Sequence, residues 1–182
     1  MALGLIYRPC VVSVEFEQEL LEWLETPEIN QLKFSVGTGQ NSRQVIHFGY
    51  SYDYTGKSIT NPAPPIPTIL KRLLSLVDCD TSDFNQVILN RYMPGQGINA
   101  HTDNISYGDV IVVFSIGSGI EMEFTRNGFD PFKIYIEQRS IYIMSGESRY
   151  LWKHQIRPRK NDTVAGQKVP RGTRWSITYR KV

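Results

Sequence analysis

His101-Thr102-Asp103 places an imidazole and a carboxylate two residues apart. In a strand or an extended turn such residues point the same way, so both can reach one metal ion. The chain has three histidines, and a second imidazole must come from His47 or His154. His154 sits in the β-rich run LWKHQI, 53 positions after His101. Two histidines and one carboxylate form a facial triad, which leaves adjacent coordination positions open and suits non-haem iron(II) oxygen chemistry. Hydrolytic zinc competes for this kind of site, with three protein ligands and a water. His-x-Asp recurs by chance in many proteins, so the pattern needs support from elsewhere. His47 is expected to be a lid or surface residue.

That support lies in the C-terminal run RWSITYR. As a strand it places Arg174, Ser176, Thr178 and Arg180 on one face and Trp175, Ile177 and Tyr179 on the other. If the aromatic face packs outward on the fold, the arginine face lies inside. Buried arginines need anions, because unpaired buried charge is costly. A dicarboxylate such as 2-oxoglutarate supplies them, and guanidinium forks match carboxylates bidentately. The plainer alternative is a solvated edge strand that holds phosphate or nothing.

The elements that would position these residues are readable in outline. Within residues 14–26, Phe16, Leu20, Leu21 and Leu24 share a helical face, with Pro27 ending the run and the glutamates on the wet side. Residues 61–67, NPAPPIP, form a stiff connector that can be neither helix interior nor central strand. Pro67 opens a second helix with Ile69, Leu70, Leu73, Leu74 and Val77 inward. From residue 86 onward, QVILNRY, DVIVVFSIG, IEMEF, PFKIYIEQ, RSIYIM, LWKHQI and RWSITYR are short β-rich runs separated by Gly/Pro turns. Phe132, Ile134 and Ile136 alternate with Lys133, Tyr135 and Glu137, as in a half-buried strand. Helices first and then many short strands predict a sandwich, barrel or jelly roll.

Composition narrows the class. The 182 residues, 41% hydrophobic and 21% charged, fit a single globular domain over 1–182. No stretch approaches the roughly 18 apolar residues that span a bilayer, so no membrane partner is expected. The apolar patch in MALGLIYRPC is too short for a secretory signal. Cys10 and Cys79 are isolated, without CxxC or zinc spacing, and fit a reducing compartment. The expected location is cytoplasmic or nuclear. Residues 149–182 carry ten Lys or Arg against Asp162 alone, a charge of +9. The whole chain is +2, so residues 1–148 carry −7. This asymmetry predicts a polyanionic partner, with Lys153, Arg157, Arg159 and Lys160 near the mouth of the site because they flank His154.

Taken together, N-x-Y-x-P-G-x-x-I-x-x-H-x-D, then W-x-H-x-I, then R-x-S-x-T-x-R resembles the AlkB family of Fe(II)/2-oxoglutarate-dependent dioxygenases over about residues 43–182. SGESRYLWKHQIRPRK and RGTRWSITYRKV look most like the homologue that hydroxylates a hypermodified wobble uridine in tRNA. The resemblance implies a double-stranded β-helix, or jelly roll, with flanking N-terminal helices. It implies that His101, Asp103 and His154 hold Fe(II), with O₂ and 2-oxoglutarate as the further cofactors. Asn90, Tyr92, Arg174, Ser176 and Arg180 would hold 2-oxoglutarate: Arg174 its distal carboxylate beside Tyr92, Arg180 the carboxylate near the metal. Ser176 stands where many members have Asn. RQVIHFGY looks like the family's lid, so Arg43, Tyr50 and Tyr52 would meet substrate, with Tyr54 on the same face. Arg149 and Trp152 would join the pocket wall. The substrate would be tRNA or alkylated nucleic acid, with hydroxylation of a wobble uridine expected, oxidative demethylation of N-alkylated bases as the alternative, and a non-catalytic nucleic-acid module as the third reading. The animal homologue's RNA-recognition and methyltransferase domains have no counterpart in these residues, so a partner protein could supply either. Its cysteine-based zinc site cannot form here, as no Cys follows Cys79.

Overall fold

The apolar spacing in the N-terminal part produces helices where the sequence puts them. The computed structural model describes residues 2–78 and 80–182, and the side chains of all of these except 61 and 62. Cys79 lies outside the described residues. Helix α1 (Val14–Leu24) is capped by Ser13, whose hydroxyl accepts from Phe16 N at 3.1 Å. Pro27 ends it but also opens α2 (Pro27–Asn30), where a fixed φ suits the first helical position. Pro67 caps α3 (Thr68–Leu74) and is not its first residue. Leu20 and Leu24 of α1 and Leu70, Leu73 and Leu74 of α3 are buried. The glutamate face of α1 is not all wet. Glu17 accepts from Gly117 N at 2.9 Å and approaches Arg139 at 3.6 Å, tying the helix to the sheet beneath.

The remainder is antiparallel sheet. Its strands are β1 (Leu5–Arg8), β2 (Phe34–Val36), β3 (Arg43–Phe48), β4 (Tyr50–Asp53), β5 (Ser58–Pro62), β6 (Gln86–Tyr92), β7 (Ile98–His101), β8 (Ile111–Ile116), β9 (Ile120–Thr125), β10 (Phe132–Ile136), β11 (Ser140–Met144), β12 (Lys153–Ile156), β13 (Asn161–Val164), β14 (Gln167–Pro170) and β15 (Arg174–Arg180). Each of the seven β-rich runs contains a strand. The connector at 61–67 begins as the end of β5, in a two-stranded hairpin where a proline interrupts no central ladder.

Seven strands pair in the order β1-β11-β8-β15-β6-β3-β2, and four in the order β10-β9-β12-β7. The two sheets face each other, as in a jelly roll. β15 lies between β8 and β6, and all seven of its residues are buried. Trp175, Ile177 and Tyr179 enter the core under α1 and α3, with Phe114 and Leu89. A second core between the sheets holds Tyr92, Val113, Met122, Phe124, Tyr142, Met144 and Trp152. With the aromatic face of β15 occupied by the helices, Arg174, Ser176, Thr178 and Arg180 are left to face the opposite sheet, where a cavity opens. No described helix is long and apolar enough to cross a membrane.

Candidate metal centre and co-substrate cavity

Between the sheets lies a cavity of about 700 Å³. His101 closes β7 and pairs across the ladder with His154 of β12. Their rings are 4.4 Å apart, and Asp103 Oδ2 is 3.9 Å from His154 Nε2. His101 Nδ1 lies 2.8 Å from the carbonyl of Asn99. A carbonyl only accepts, so Nδ1 carries the proton and Nε2 keeps its lone pair. Burial pushes His154 down to about 3, with the neighbouring His101 adding to the effect, and burial lowers His101 too. Burial works against ionising Asp103, but Arg180 and the two imidazoles outweigh it and hold the carboxyl well below its usual range. Two neutral imidazoles and one carboxylate are the forms a divalent metal requires, so this donor set fits a metal. Among the described residues no three His, Cys, Asp or Glu side chains are drawn into a finished metal cluster. Asp103 Oδ1 accepts from Arg180 Nη2 at 2.6 Å, and a metal would compete with that guanidinium for the carboxylate.

The floor of the cavity is cationic and unsatisfied. Arg174 donates from Nε to Ser115 Oγ at 2.9 Å, while its Nη1 and Nη2 are buried without a partner. Arg180 Nε and Nη1 are likewise buried and unpartnered. Native interiors seldom leave such donors orphaned, and four of them on one surface mark an anion site. Tyr92, opposite Arg174 in the ladder, puts its ring 5.7 Å from the guanidinium carbon. Asn90 pairs with Ser176, offers Nδ2 to its hydroxyl at 3.5 Å, and accepts from Arg43 Nε at 2.8 Å.

One side of the cavity is aromatic. Tyr52 meets Tyr54 edge-on at 5.1 Å and lies 6.0 Å from Tyr107. Behind them His47 is buried, hydrogen-bonded to Tyr54 Oη at 3.2 Å and accepting from Tyr52 N at 3.3 Å. His47, on β3, is therefore a buried support of these tyrosines and not a surface group.

A sequence profile described as the 2OG-Fe(II) oxygenase superfamily matches residues 7–180. The chain belongs to that superfamily. The oxygenase is 37% identical to an uncharacterized protein of Acanthamoeba polyphaga mimivirus over 178 residues, 94% of this chain and 81% of the other. It is 34% identical over 206 residues to the mouse tRNA (carboxymethyluridine(34)-5-O)-methyltransferase ALKBH8, covering 98% of this chain but 30% of that protein. The oxygenase thus spans about a third of the length of that relative. Among solved structures, OsALKBH1 aligns with a TM-score of 0.71 at 16% identity, over 98% of this chain and 97% of that one. Both of the last two proteins carry AlkB-homologue names, and the superfamily to which this chain belongs works with Fe(II), 2-oxoglutarate and O₂.

The residues expected from the sequence divide into two groups. His101, Asp103, His154, Asn90, Tyr92, Arg174, Ser176 and Arg180 line the cavity, together with Arg43 and Tyr52. Tyr50, Arg149 and Trp152 do not. Tyr50 pairs with Pro62 at the start of β4, and the extra residue of the register shift in the β4–β5 hairpin sits on β5, between Ile59 and Pro62. Trp152 is buried against Phe129 and Phe132 in the inter-sheet core. Arg149 is buried too, and donates to the carbonyls of Asp103 at 3.0 Å, Asn104 at 2.6 Å and Tyr107 at 3.3 Å. It clamps the loop after His101 from behind. Nor do Lys153, Arg157, Arg159 or Lys160 line the cavity. The sequence reading missed Lys57, Tyr107 and Ser115. Ser115 carried a signal, as the one polar residue inside the apolar run DVIVVFSIG.

Proposed function

We propose that this oxygenase acts on a modified base in nucleic acid, hydroxylating a hypermodified wobble uridine of tRNA, with Fe(II) on His101, Asp103 and His154 and 2-oxoglutarate on the cationic floor. The observation that carries the co-substrate assignment is the set of four unpartnered buried nitrogens on Arg174 and Arg180. The likeness of nearly the whole chain to a relative named for carboxymethyluridine 34 of tRNA supports the substrate. The aromatic side formed by Tyr52, Tyr54 and Tyr107 suits an unstacked base, which gains stacking energy on such a surface.

When bound, Fe(II) supplies the activation of O₂, coupled to decarboxylation of 2-oxoglutarate to succinate and CO₂ and to hydroxylation of a substrate C–H bond. The protein's own groups bind, orient and exclude water. Arg174 Nη1 and Nη2 would grip the distal carboxylate beside Tyr92, with Ser115 fixing the guanidinium through Nε. Arg180 would hold the carboxylate nearer the metal while steadying Asp103. Asn90 transmits the position of Arg43, which reaches it from the lid strand, to the co-substrate side of the cavity. Val113, Met122 and Met144 give the cavity an apolar wall that keeps water from the reacting C–H bond.

The test is mass spectrometry of nucleosides after incubation with tRNA, alkylated DNA and alkylated RNA, each with Fe(II), ascorbate and 2-oxoglutarate. The expected result is a mass gain of one oxygen on a wobble uridine. It should be absent with His101→Ala, whose far-UV circular dichroism should match the wild type. Formaldehyde release from methylated bases with tRNA untouched would replace this reading by oxidative demethylation.

A further inference from the structure

The roles assigned so far leave one buried phenol in the cavity without a task. Strand β11 alternates: Ile141 and Ile143 pack on the core under the helices, while Tyr142 and Met144 turn to the space between the sheets. Tyr142 is only 4% exposed and lines the cavity. Its neighbours on that face, Val113 across the ladder and Met144 along the strand, are apolar, so packing alone asks for no hydroxyl there. A buried phenol oxygen needs a partner, because stripping it of water without one costs free energy.

That hydroxyl stands beside the cationic floor. Tyr142 pairs with Val113 of β8, and Ser115 lies two residues along β8 on the same face, a diagonal neighbour within reach of a long side chain. Ser115 Oγ accepts from Arg174 Nε at 2.9 Å, which draws the guanidinium from β15 across to β8. Tyr92 bounds that guanidinium from β6, its ring 5.7 Å away, and Tyr142 faces it from β11 on the other side. Burial pushes the Tyr142 hydroxyl up to about 12, and the charge of Arg174 pulls against that shift, so the two side chains feel each other. They do not satisfy each other, since Arg174 Nη1 and Nη2 keep no partner. At neutral pH the phenol holds its proton and can donate it to an anion. A carboxylate offers about four lone-pair sites, and a guanidinium fork takes about half of them.

We infer that Tyr142 is a further co-substrate contact, donating its hydroxyl to the distal carboxylate of 2-oxoglutarate beside the Arg174 fork. The inference rests on the co-substrate placement proposed above and adds a neutral donor to it. A phenol so placed completes the anion's hydrogen bonding without adding charge to a floor that already carries two guanidiniums. It also explains why a polar residue interrupts the apolar face of β11 at this position.

A pair of keto-acids tests this. 2-Oxopentanoate is 2-oxoglutarate with a methyl group in place of the distal carboxylate, so it keeps the end that meets the metal. Both are titrated by calorimetry under argon into protein loaded with Fe(II), which reads binding without turnover. The wild type should hold 2-oxoglutarate far more tightly than 2-oxopentanoate. Tyr142→Phe keeps the ring and the packing. It should weaken 2-oxoglutarate at least about tenfold, the scale of one hydrogen bond to a charged group, and move 2-oxopentanoate by less than about twofold. An equal loss for both ligands would make Tyr142 a packing residue and overturn the inference, as would no loss for either. If the wild type itself holds the two keto-acids equally, the distal carboxylate is not seated on the cationic floor, and the placement proposed above fails first.

Discussion

Arg174 shows how one side chain serves both the fold and the chemistry. Its Nε is satisfied by Ser115, while its two terminal nitrogens wait for an anion. Arg174→Met keeps much of the volume and removes all three donor nitrogens. The apparent KM for 2-oxoglutarate should rise at least about tenfold, because a charge-assisted bond is worth roughly 1.5–3 kcal/mol. Steady-state succinate release measures it, and affinity for nucleic acid should not move. If only the nucleic-acid affinity falls, Arg174 serves the wrong ligand in this account. His47 offers a second prediction at this scale. Burial, with Arg180 and Arg43, lowers it from 6.5 to about 4, so it is neutral in the folded protein. As pH falls below about 6.5 the unfolded chain takes up a proton that the folded chain refuses, and stability drops by about 1.4 kcal/mol per pH unit until pH approaches 4. Thermal unfolding of His47→Gln should therefore lose less between pH 6.5 and 4 than that of the wild type. Parallel curves would mean that His47 titrates normally in the fold.

At the scale of elements, the cavity face of β15 was legible and the aromatic side of the cavity was not. RWSITYR announces its two faces by strict alternation, a local signal that needs no knowledge of neighbours. Tyr50, Tyr52 and Tyr54 alternate as well, yet of the three only Tyr52 and Tyr54 line the cavity, and where a short hairpin sits against the sheets is set by long-range contacts that alternation does not report. Arg149 was misplaced for a related reason. The stretch around it is not extended: Ser145 and Ser148 form a capping box that starts α4 (Gly146–Tyr150), and the helical turn carries Arg149 behind the metal loop. Long apolar periods revealed α1 and α3, whereas strands of three or four residues such as β2 and β7 had too few positions to show a period. The clamp yields its own prediction. Arg149→Met should free the carbonyls of residues 103–107 and weaken divalent metal binding by roughly 10–100-fold, as removal of outer-shell partners does. Titration with Co(II), followed by its visible absorption, reports this without turnover. Unchanged metal affinity would reduce Arg149 to a packing residue.

For the whole molecule, five of the ten bases in residues 149–182 form ion pairs within the protein. Arg157 pairs with Glu123, Arg159 with Glu121 and Asp162, Arg171 with Asp162, Arg180 with Asp103 and Lys181 with Asp83. Arg149 holds carbonyls and Arg174 holds Ser115. Four acids of the first 148 residues, Asp83, Asp103, Glu121 and Glu123, are thus partners of the bases that follow, which a charge count along the chain cannot reveal. Lys153, Lys160 and Lys168 remain exposed and make no ion pair among the described residues. If the oxygenase holds single-stranded nucleic acid through these three, changing all of them to Gln should flatten the slope of log affinity against log salt by about 2, at roughly 0.7 per phosphate contact. Changing Arg157 and Arg159 to Gln should leave that slope nearly as it was. The opposite result would show that the internal pairs open on binding.

The placement of β15 bears on how this catalyst can fail. The strand has no solvent face: one side lines the cavity and the other anchors the helices, with partners along both edges. Local fraying, which in most enzymes disables a site long before the protein melts, has no route to Arg174 or Arg180 except through the global transition. The β4–β5 hairpin, held to the loop after Asp103 by the Asn104–Lys57 contact, has no such protection. Heat or denaturant should therefore silence the oxygenase first by loosening its hold on substrate, while its grip on the keto-acid survives until the chain unfolds.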